Sequence, residues 1–580
     1  MSEKIKIAIV IDDEKSNADK KDGVAPSLIL TQDASVTLMP VLLKNHLMIG
    51  SFCGQRGDCG RCIVQFTEGA PLPTGLERAR LTPKELRQGY RLACVTRPRM
   101  DCTIKIAGGN DVETPIVTEL NLPSENIDLS SHKILQSRNQ KSDAMKFSEK
   151  RGEDSIKNNC YIIAVDLGTT TVAMQMRDMV TGEIVDTYCE NNPQRCYGTD
   201  VLSRIEASCN GAGEELRELI CESLARGLKQ FAGRLRKRQI AGMCIAGNTT
   251  MEHLLLGYDV KGLGVAPFVP VEKGLQKISL AALFSDRITF VGEFPVYIAP
   301  CISAFVGGDI VAGLYALHML PIFGGQETAG ERTAEDAEGA GRKRTVEDAE
   351  GTGRERTAED AEGAGQNETL VRLLIDLGTN GEMAITDGRR MIVTATAAGP
   401  AFEGNGDLIG TDRIAFTASL LRQGALDETG LLEEPYFETG VRMAKSECYF
   451  RQEDIRALQM AKAAIRAGVE ILWEEMGCPE VERIYLAGGF GYYLDVEAAF
   501  AIGLLPSDMR GKVQAVGNTS LAGAFALGRD LCMGSVNGEA AGKTAVSDVN
   551  MAAYGIESIN LAERDGFEKL YLRYMNLEEN

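Results

Sequence analysis

A chain of 580 residues is too long for one hydrophobic core and should divide into roughly three or four domains. With 44% hydrophobic and 25% charged residues and a formal net charge of −20, its composition is globular. That charge excludes unaided binding to nucleic acid or anionic membranes, which needs clustered Lys and Arg, so the expected partners are small molecules and proteins.

The N-terminal MSEKIKIAIVIDDEKSN fits neither a secretory signal nor an anchor, and no later stretch reaches about 18 uninterrupted apolar residues. A cytoplasmic location follows as the expectation, with the 15 cysteines kept as thiols, either metal ligands or buried apolar groups. Residues 1–106 read as one unit: KIKIAIVI and SLILTQ as paired strands, VTLMPVLLKNHL as a helix, CIVQF and CTIKIA as later strands. That order suits a small β-grasp domain. Residues 107–159 turn polar and read as a linker.

From Cys160 strands and helices alternate, the pattern of an α/β module over 160–534, with a first lobe at about 160–320 and a second at about 369–534. Between the lobes, within 326–368, RTAEDAEGAGRK, RTVEDAEGTGRE and RTAEDAEGAGQN begin at Arg332, Arg344 and Arg356. A twelve-residue unit with only Ala and one Val to bury predicts a disordered surface insertion rather than a solenoid. The tail, 535–580, is mixed and carries no motif. GEAAGKT at Gly538 has one residue too few between its glycines for a phosphate loop and no preceding strand.

Within the first unit, CGQRGDCGRC places Cys53, Cys59 and Cys62 in one loop, and RLACVTRP adds Cys94. Four thiolates at this spacing can ligate a [2Fe–2S] cluster, three from a loop and one from a distant strand. Gly54, Gly57 and Gly60 permit the positive φ angles that turn backbone N–H groups toward bridging sulfides, and Arg56 and Arg61 add compensating charge. Structural zinc is the competing metal, for which Cys102 could substitute, and uncoordinated thiols are the third reading. The spacing resembles that of plant-type ferredoxins with one extra residue in the first gap, which implies one-electron transfer.

The α/β module contains an internal duplication. AVDLGTTTVAMQM from Ala164 and LIDLGTNGEMAIT from Leu374 each run from an apolar strand through Asp-Leu-Gly-Thr into a second strand. Such a turn can offer backbone and hydroxyl donors to phosphate oxygens while its aspartate, Asp166 or Asp376, faces Mg2+ or its water. A lone DxG is as often a plain turn, but two copies in duplicated settings suggest two lobes closing on a nucleotide. A third element, ERIYLA running into Gly488 and Gly489, would let backbone lie against an adenosine.

This order resembles the actin-like ATPase and sugar-kinase superfamily, with its duplicated ribonuclease-H-like fold. AGNTTM at Ala246 and SLAGA at Ser520 sit where that superfamily has its connecting helices. The resemblance implies catalytic roles for Asp166 and Asp376 and ATP contacts at Gly168, Thr169 and Thr170, at Gly378, Thr379 and Asn380, and at Gly488 and Gly489. No Gly-rich dinucleotide fingerprint follows a strand, so electrons are expected from an external low-potential donor protein.

With NNPQRCYGTDVLSRI, PCISAFVGGDIVAG, AAGPAFEG and YLAGGFGYYLDVEAAFAIGLLP, most of the chain, apart from the linker, the twelve-residue repeats and the tail, is similar to the reductive activators of corrinoid-dependent enzymes. That likeness implies ATP-driven transfer of one electron from the cluster to Co(II) of a partner corrinoid protein, regenerating Co(I) for methyl transfer, and a homodimer. Asp200 and Glu403 lie in family-like segments and either face the partner or serve structure. Other readings are an ATP-dependent donor to another low-potential enzyme, a ferredoxin-fused small-molecule kinase, and a noncatalytic redox sensor.

Overall fold

The computed structural model describes residues 4–12, 28–45, 47, 57, 60, 62–107, 160–235, 239–284, 288, 290–321, 370–398, 402, 410–443, 449–537 and 549–577. Cys53, Cys59, Glu403, the linker, the twelve-residue repeats and GEAAGKT therefore lie outside the described residues.

In the N-terminal unit, β1 (Lys4–Asp12) pairs antiparallel with β2 (Leu28–Asp33), and helix α1 (Leu38–Lys44) follows. Strands β3 (Ile63–Glu68), β4 (Tyr90–Leu92) and β5 (Cys102–Ala107) complete a five-stranded sheet of order β2-β1-β5-β3-β4. Alternation does the sorting: Ile5, Ile7 and Ile9 point into the core while Lys4 and Lys6 are exposed. Two short helices not anticipated from sequence, α2 (Gly75–Arg80) and α3 (Pro83–Arg87), fill the connection between β3 and β4. Each starts in a capping box, Thr74 with Glu77 and Thr82 with Glu85.

The first lobe begins with the meander β6 (Cys160–Leu167), β7 (Thr171–Asp178) and β8 (Ile184–Asn191), followed by helices α4 (Val201–Ala207) and α5 (Gly213–Ala232). Strand β9 (Gln239–Gly247), helix α6 (Thr249–Leu256), strands β10 (Gln276–Ser279) and β11 (Pro295–Ile298) and helix α7 (Gly308–Ala316) complete it. The second lobe repeats the plan with β12 (Leu370–Leu377), β13 (Asn380–Thr386) and β14 (Met391–Ala397). The two-residue strands β15 (Val441–Arg442) and β16 (Tyr449–Phe450), helix α8 (Gln452–Glu475), strands β17 (Glu480–Ala487) and β18 (Val513–Gly517) and helix α9 (Thr519–Asn537) follow. Both six-stranded sheets carry the same core, β11-β9-β6-β7-β8 in one and β18-β17-β12-β13-β14 in the other, with the meander antiparallel and the rest of that core parallel.

The segment after residue 534 is not idle. Strand β19 (Glu557–Ile559) pairs parallel with β14 and closes the second sheet, while helix α10 (Phe567–Arg573) packs on α8. Lys462, buried in α8, donates its Nζ to the Asn576 carbonyl, which ties the segment after α10 to the core.

The lobes exchange helices. Leu521, Ala524 and Leu527 of α9 pack under β6 and β9 of the first lobe, and Ile310, Val311 and Leu314 of α7 pack on β12 and β13 of the second. The two helices cross where Gly523 meets Ala312: a Cβ on Gly523 would overlap the Ala312 carbonyl, so only glycine permits the approach. No helix among the described residues is long and apolar enough to cross a membrane.

Candidate functional site

The carboxyl ends of β6, β9, β12 and β17 converge on one cleft with about 200 Å3 of water-accessible space. Its lining includes all ten residues expected from the three motifs: Asp166, Gly168, Thr169, Thr170, Asp376, Gly378, Thr379, Asn380, Gly488 and Gly489. Residues more than 300 positions apart in the chain share this wall because the parallel strands of each duplicated sheet end at the same level.

The two turns meet tip to tip, with the hydroxyls of Thr170 and Thr379 at 3.1 Å. They differ in length, however. The last ladder pair of the first hairpin is Leu167 with Val172, that of the second Leu377 with Gly381, so the second turn is one residue tighter. The two glycines after β17 also divide their tasks. Gly488 has φ +84, and a Cβ there would sit 2.5 Å from Asp376 Oδ1, whereas a Cβ on Gly489 would meet nothing within 4 Å. Gly488 makes room for the second turn; Gly489 leaves room in the cleft.

Four further cleft residues were not singled out from sequence. Asn518 donates its Nδ2 to Asp166 Oδ2 at 2.7 Å and Ser520 its hydroxyl to Asp166 Oδ1 at 2.9 Å, both from the start of α9. Asp309 lies in the first turn of α7, and Glu382 stands opposite Asp376 in the β12–β13 ladder. Glu382 is 6% exposed, and its Oε1 has no hydrogen-bond partner among the described residues. The signals were present: GGD opening an apolar helix, and one acid inside the apolar run EMAIT. At the other end of the cleft Phe402 and Phe490 pack with ring centroids 4.7 Å apart beside Tyr493, giving an apolar wall.

Desolvation raises the pKa of all four carboxyls in this wall, and neighbouring carboxylates raise three of them further. Desolvation, then the neighbouring Asp376 and Asp166, push Asp309 up to about 8. Desolvation and the charge of Asp166 push Asp376 up to about 7. Asp166 is also raised by desolvation, opposed by its bonds from Asn518 and Ser520, and Glu382 stands well above the ordinary range for desolvation and the same neighbouring charges. Where ionised, these carboxyls would repel a bare polyphosphate, so an anion bound beside them would need a cation with it.

Asp200 is not in the lining of this cleft; it caps α4, accepting from Ser203 N at 2.8 Å and Ser203 Oγ at 2.7 Å. In the N-terminal unit Cys62 and Cys94 are buried and not joined by a disulfide, their sulfurs 3.1 Å apart, and the thiol–thiol hydrogen bond holds Cys62 below the ordinary thiol range. Gly57 and Gly60 have φ +83 and +67, as a loop wrapping an anionic group requires. Cys102 instead packs against the Gly69 turn, its thiol pushed up to about 11 by burial and by Asp101. Converging sulfurs and left-handed glycines fit a [2Fe–2S] cluster.

Fold and sites together define an iron–sulfur protein with an ASKHA-type ATPase module. A 2Fe–2S iron–sulfur cluster binding domain matches residues 27–99, the RACo middle region matches 161–321, and the C-terminal, ASKHA domain of RACo matches 370–415 and 407–580. The chain belongs to the RACo family.

Among curated proteins it is 27% identical over 426 residues to the corrinoid activation enzyme RamQ of Eubacterium limosum, covering 63% of each chain. It is 22% identical over 474 residues to the [Co(II) methylated amine-specific corrinoid protein] reductase of Methanosarcina barkeri, covering 71% of this chain and 76% of that one. A solved reductive activator for a corrinoid, iron–sulfur protein shares the fold with a TM-score of 0.55 at 23% identity, covering 99% of this chain and 98% of the other.

Proposed function

We propose that this chain couples ATP hydrolysis to the transfer of one electron from its [2Fe–2S] cluster to Co(II) of a partner corrinoid protein, regenerating Co(I). The observation that carries the reading is the union, in one chain, of a 2Fe–2S binding domain with a closed two-lobed ASKHA cleft. The relatives' names supply the acceptor. An ATP site is needed where transfer runs uphill, since each ~59 mV of adverse potential costs a one-electron step about tenfold, or 1.4 kcal/mol.

Bound at Cys53, Cys59, Cys62 and Cys94, the cluster supplies a one-electron store. Gly168, Thr169 and Thr170 from one lobe and Gly378, Thr379 and Asn380 from the other hold the phosphates, and Gly489 leaves the adenosine its place beside Phe490. Asp166, Asp376, Asp309 and Glu382 take a hydrated Mg2+, which lowers the mutual repulsion of their carboxyls. An external low-potential protein reduces the cluster, and the chain acts as a homodimer.

The test is anaerobic: reduced protein is mixed with a Co(II) corrinoid protein and Co(I) absorbance is followed with and without MgATP. ATP-dependent appearance of Co(I), lost in Cys62→Ser, is expected; Co(I) formation indifferent to ATP overturns the proposal.

A further inference from the structure

The segment NNPQRCYGTDVLSRI lies behind the first phosphate-facing turn, where two of its residues hold that turn's carbonyls. The Asn192 side chain donates Nδ2 to the Gly168 carbonyl at 2.7 Å, and its backbone N–H donates to the Thr170 carbonyl at 2.7 Å. Arg204 donates Nη2 to the Thr169 carbonyl between them. All three carbonyls of Gly168, Thr169 and Thr170 are thus drawn to the back of the turn, away from the cleft that the same residues line.

Arg204 is 0% exposed, an expensive place for a guanidinium. Its remaining donors are fixed: Nε to the Gly198 carbonyl at 3.0 Å, Nη1 to Gln194 Oε1 at 3.2 Å and to Met251 Sδ at 2.9 Å. Gln194 is itself anchored to the Leu216 carbonyl at 2.8 Å, and Asn192 Oδ1 accepts from Gln194 N at 2.9 Å. The network sets the guanidinium's position, and the guanidinium sets the turn's.

We infer that Arg204 and Asn192 are positioning residues for phosphate recognition, orienting the first turn so that it presents no carbonyl oxygen to an anion. Two effects act together. A turn carbonyl rotated into the cleft would repel a phosphate oxygen, and Asn192 and Arg204 prevent that rotation. A charge-assisted bond to the Thr169 carbonyl also polarises the Thr169–Thr170 peptide, strengthening the Thr170 N–H as a donor. The inference rests on the nucleotide reading of the cleft and adds to it a ligand-class signature, because phosphate-bearing ligands feel the turn and adenosine does not.

The experiment is calorimetric titration of the full chain with MgATP, MgADP and adenosine, for wild type, Arg204→Met, Arg204→Lys and Asn192→Asp, with melting curves alongside. Asn192→Asp keeps the Oδ1 acceptor for Gln194 and loses the donor to Gly168, leaving two oxygens opposed. Expected are losses of about tenfold or more for both phosphate ligands in Arg204→Met and Asn192→Asp, unchanged adenosine binding, and partial recovery in Arg204→Lys.

Equal losses for adenosine and nucleotides, or wild-type ADP affinity in the folded variants, overturn the inference. If Arg204→Met does not fold, Asn192→Asp decides alone; if both lose the fold, the network is structural and the inference falls. A wild-type chain that binds adenosine but neither nucleotide strikes the nucleotide reading instead.

Discussion

Asp166 and Asp376 end corresponding strands of a duplicated lobe, yet Asp166 receives two hydrogen bonds from the start of α9 and Asp376 receives none among the described residues. Asp376 faces Gly488, Glu382 and the charge of Asp166. The comparison shows how one turn, copied, can divide its labour. The first is a latch: Asn518 and Ser520 belong to a helix that follows the second lobe's last core strand but packs beneath the first lobe's sheet, so the Asp166 carboxylate joins the two halves. The second is a carboxyl to which no donor is bonded among the described residues, kept above the ordinary carboxylate range by desolvation and the charge of Asp166.

The sharpest way to break that contrast is to neutralise each aspartate. Asp166→Asn turns an acceptor of two bonds into a group that opposes one of its donors, and a loss of about 2–3 kcal/mol in chemical denaturation is expected. Asp376→Asn removes repulsion and should leave stability unchanged or raised, while both substitutions abolish ATP turnover. Equal destabilisation by the two would end the distinction.

The pH profile probes the same wall. Asp309 and Asp376, at about 8 and about 7 against an ordinary 3.8, are ionised in the unfolded chain well before they ionise in the fold. Their penalty is absent below pH ~4 and grows through pH ~8, so the melting temperature of the nucleotide-free protein should fall across that window. Asp309→Asn should flatten the fall, and Mg2+–nucleotide should reduce it; a melting temperature rising from pH 5 to 8 contradicts the raised values.

Gly488→Ala places a methyl group against Asp376 at a positive φ and should cost about 1–2 kcal/mol together with nucleotide affinity, whereas Gly489→Ala should keep wild-type stability within about 0.5 kcal/mol. A milder effect than that of Gly488→Ala is expected for Thr379→Val, which removes the hydroxyl contact with Thr170 across the cleft and should shift stability by about 1 kcal/mol or less.

What could be read from sequence was local. Asp-Leu-Gly-Thr is a turn defined by its own four residues, and its two copies marked both the duplication and seven of the residues that line the cleft. The alternating KIKIAIVI and the apolar strand running into the first Asp-Leu-Gly-Thr likewise announced themselves. What escaped depends on distant pairing: Asn518 and Ser520 gain meaning only when α9 packs under the other lobe, and Asp309 only when α7 packs on the second lobe and its first turn reaches the cleft. Strand β19 is three residues, ESI, with no pattern to find; it is strand-like because β14 offers an open edge. The capping boxes of α2 and α3 were legible as Thr-x-x-Glu and show how short helices hide in a loop-rich stretch.

The exchange of α7 and α9 between lobes has a mechanical outcome. Each half wears a piece of its neighbour as a lining, so parting the halves would empty both interiors, and any opening of the cleft would have to turn at the Gly523–Ala312 crossing. A cleft that gapes by a small angle at this hinge displaces the far rims by much more, as a pair of tongs does, which converts a phosphate-sized event into a movement a docked protein could feel.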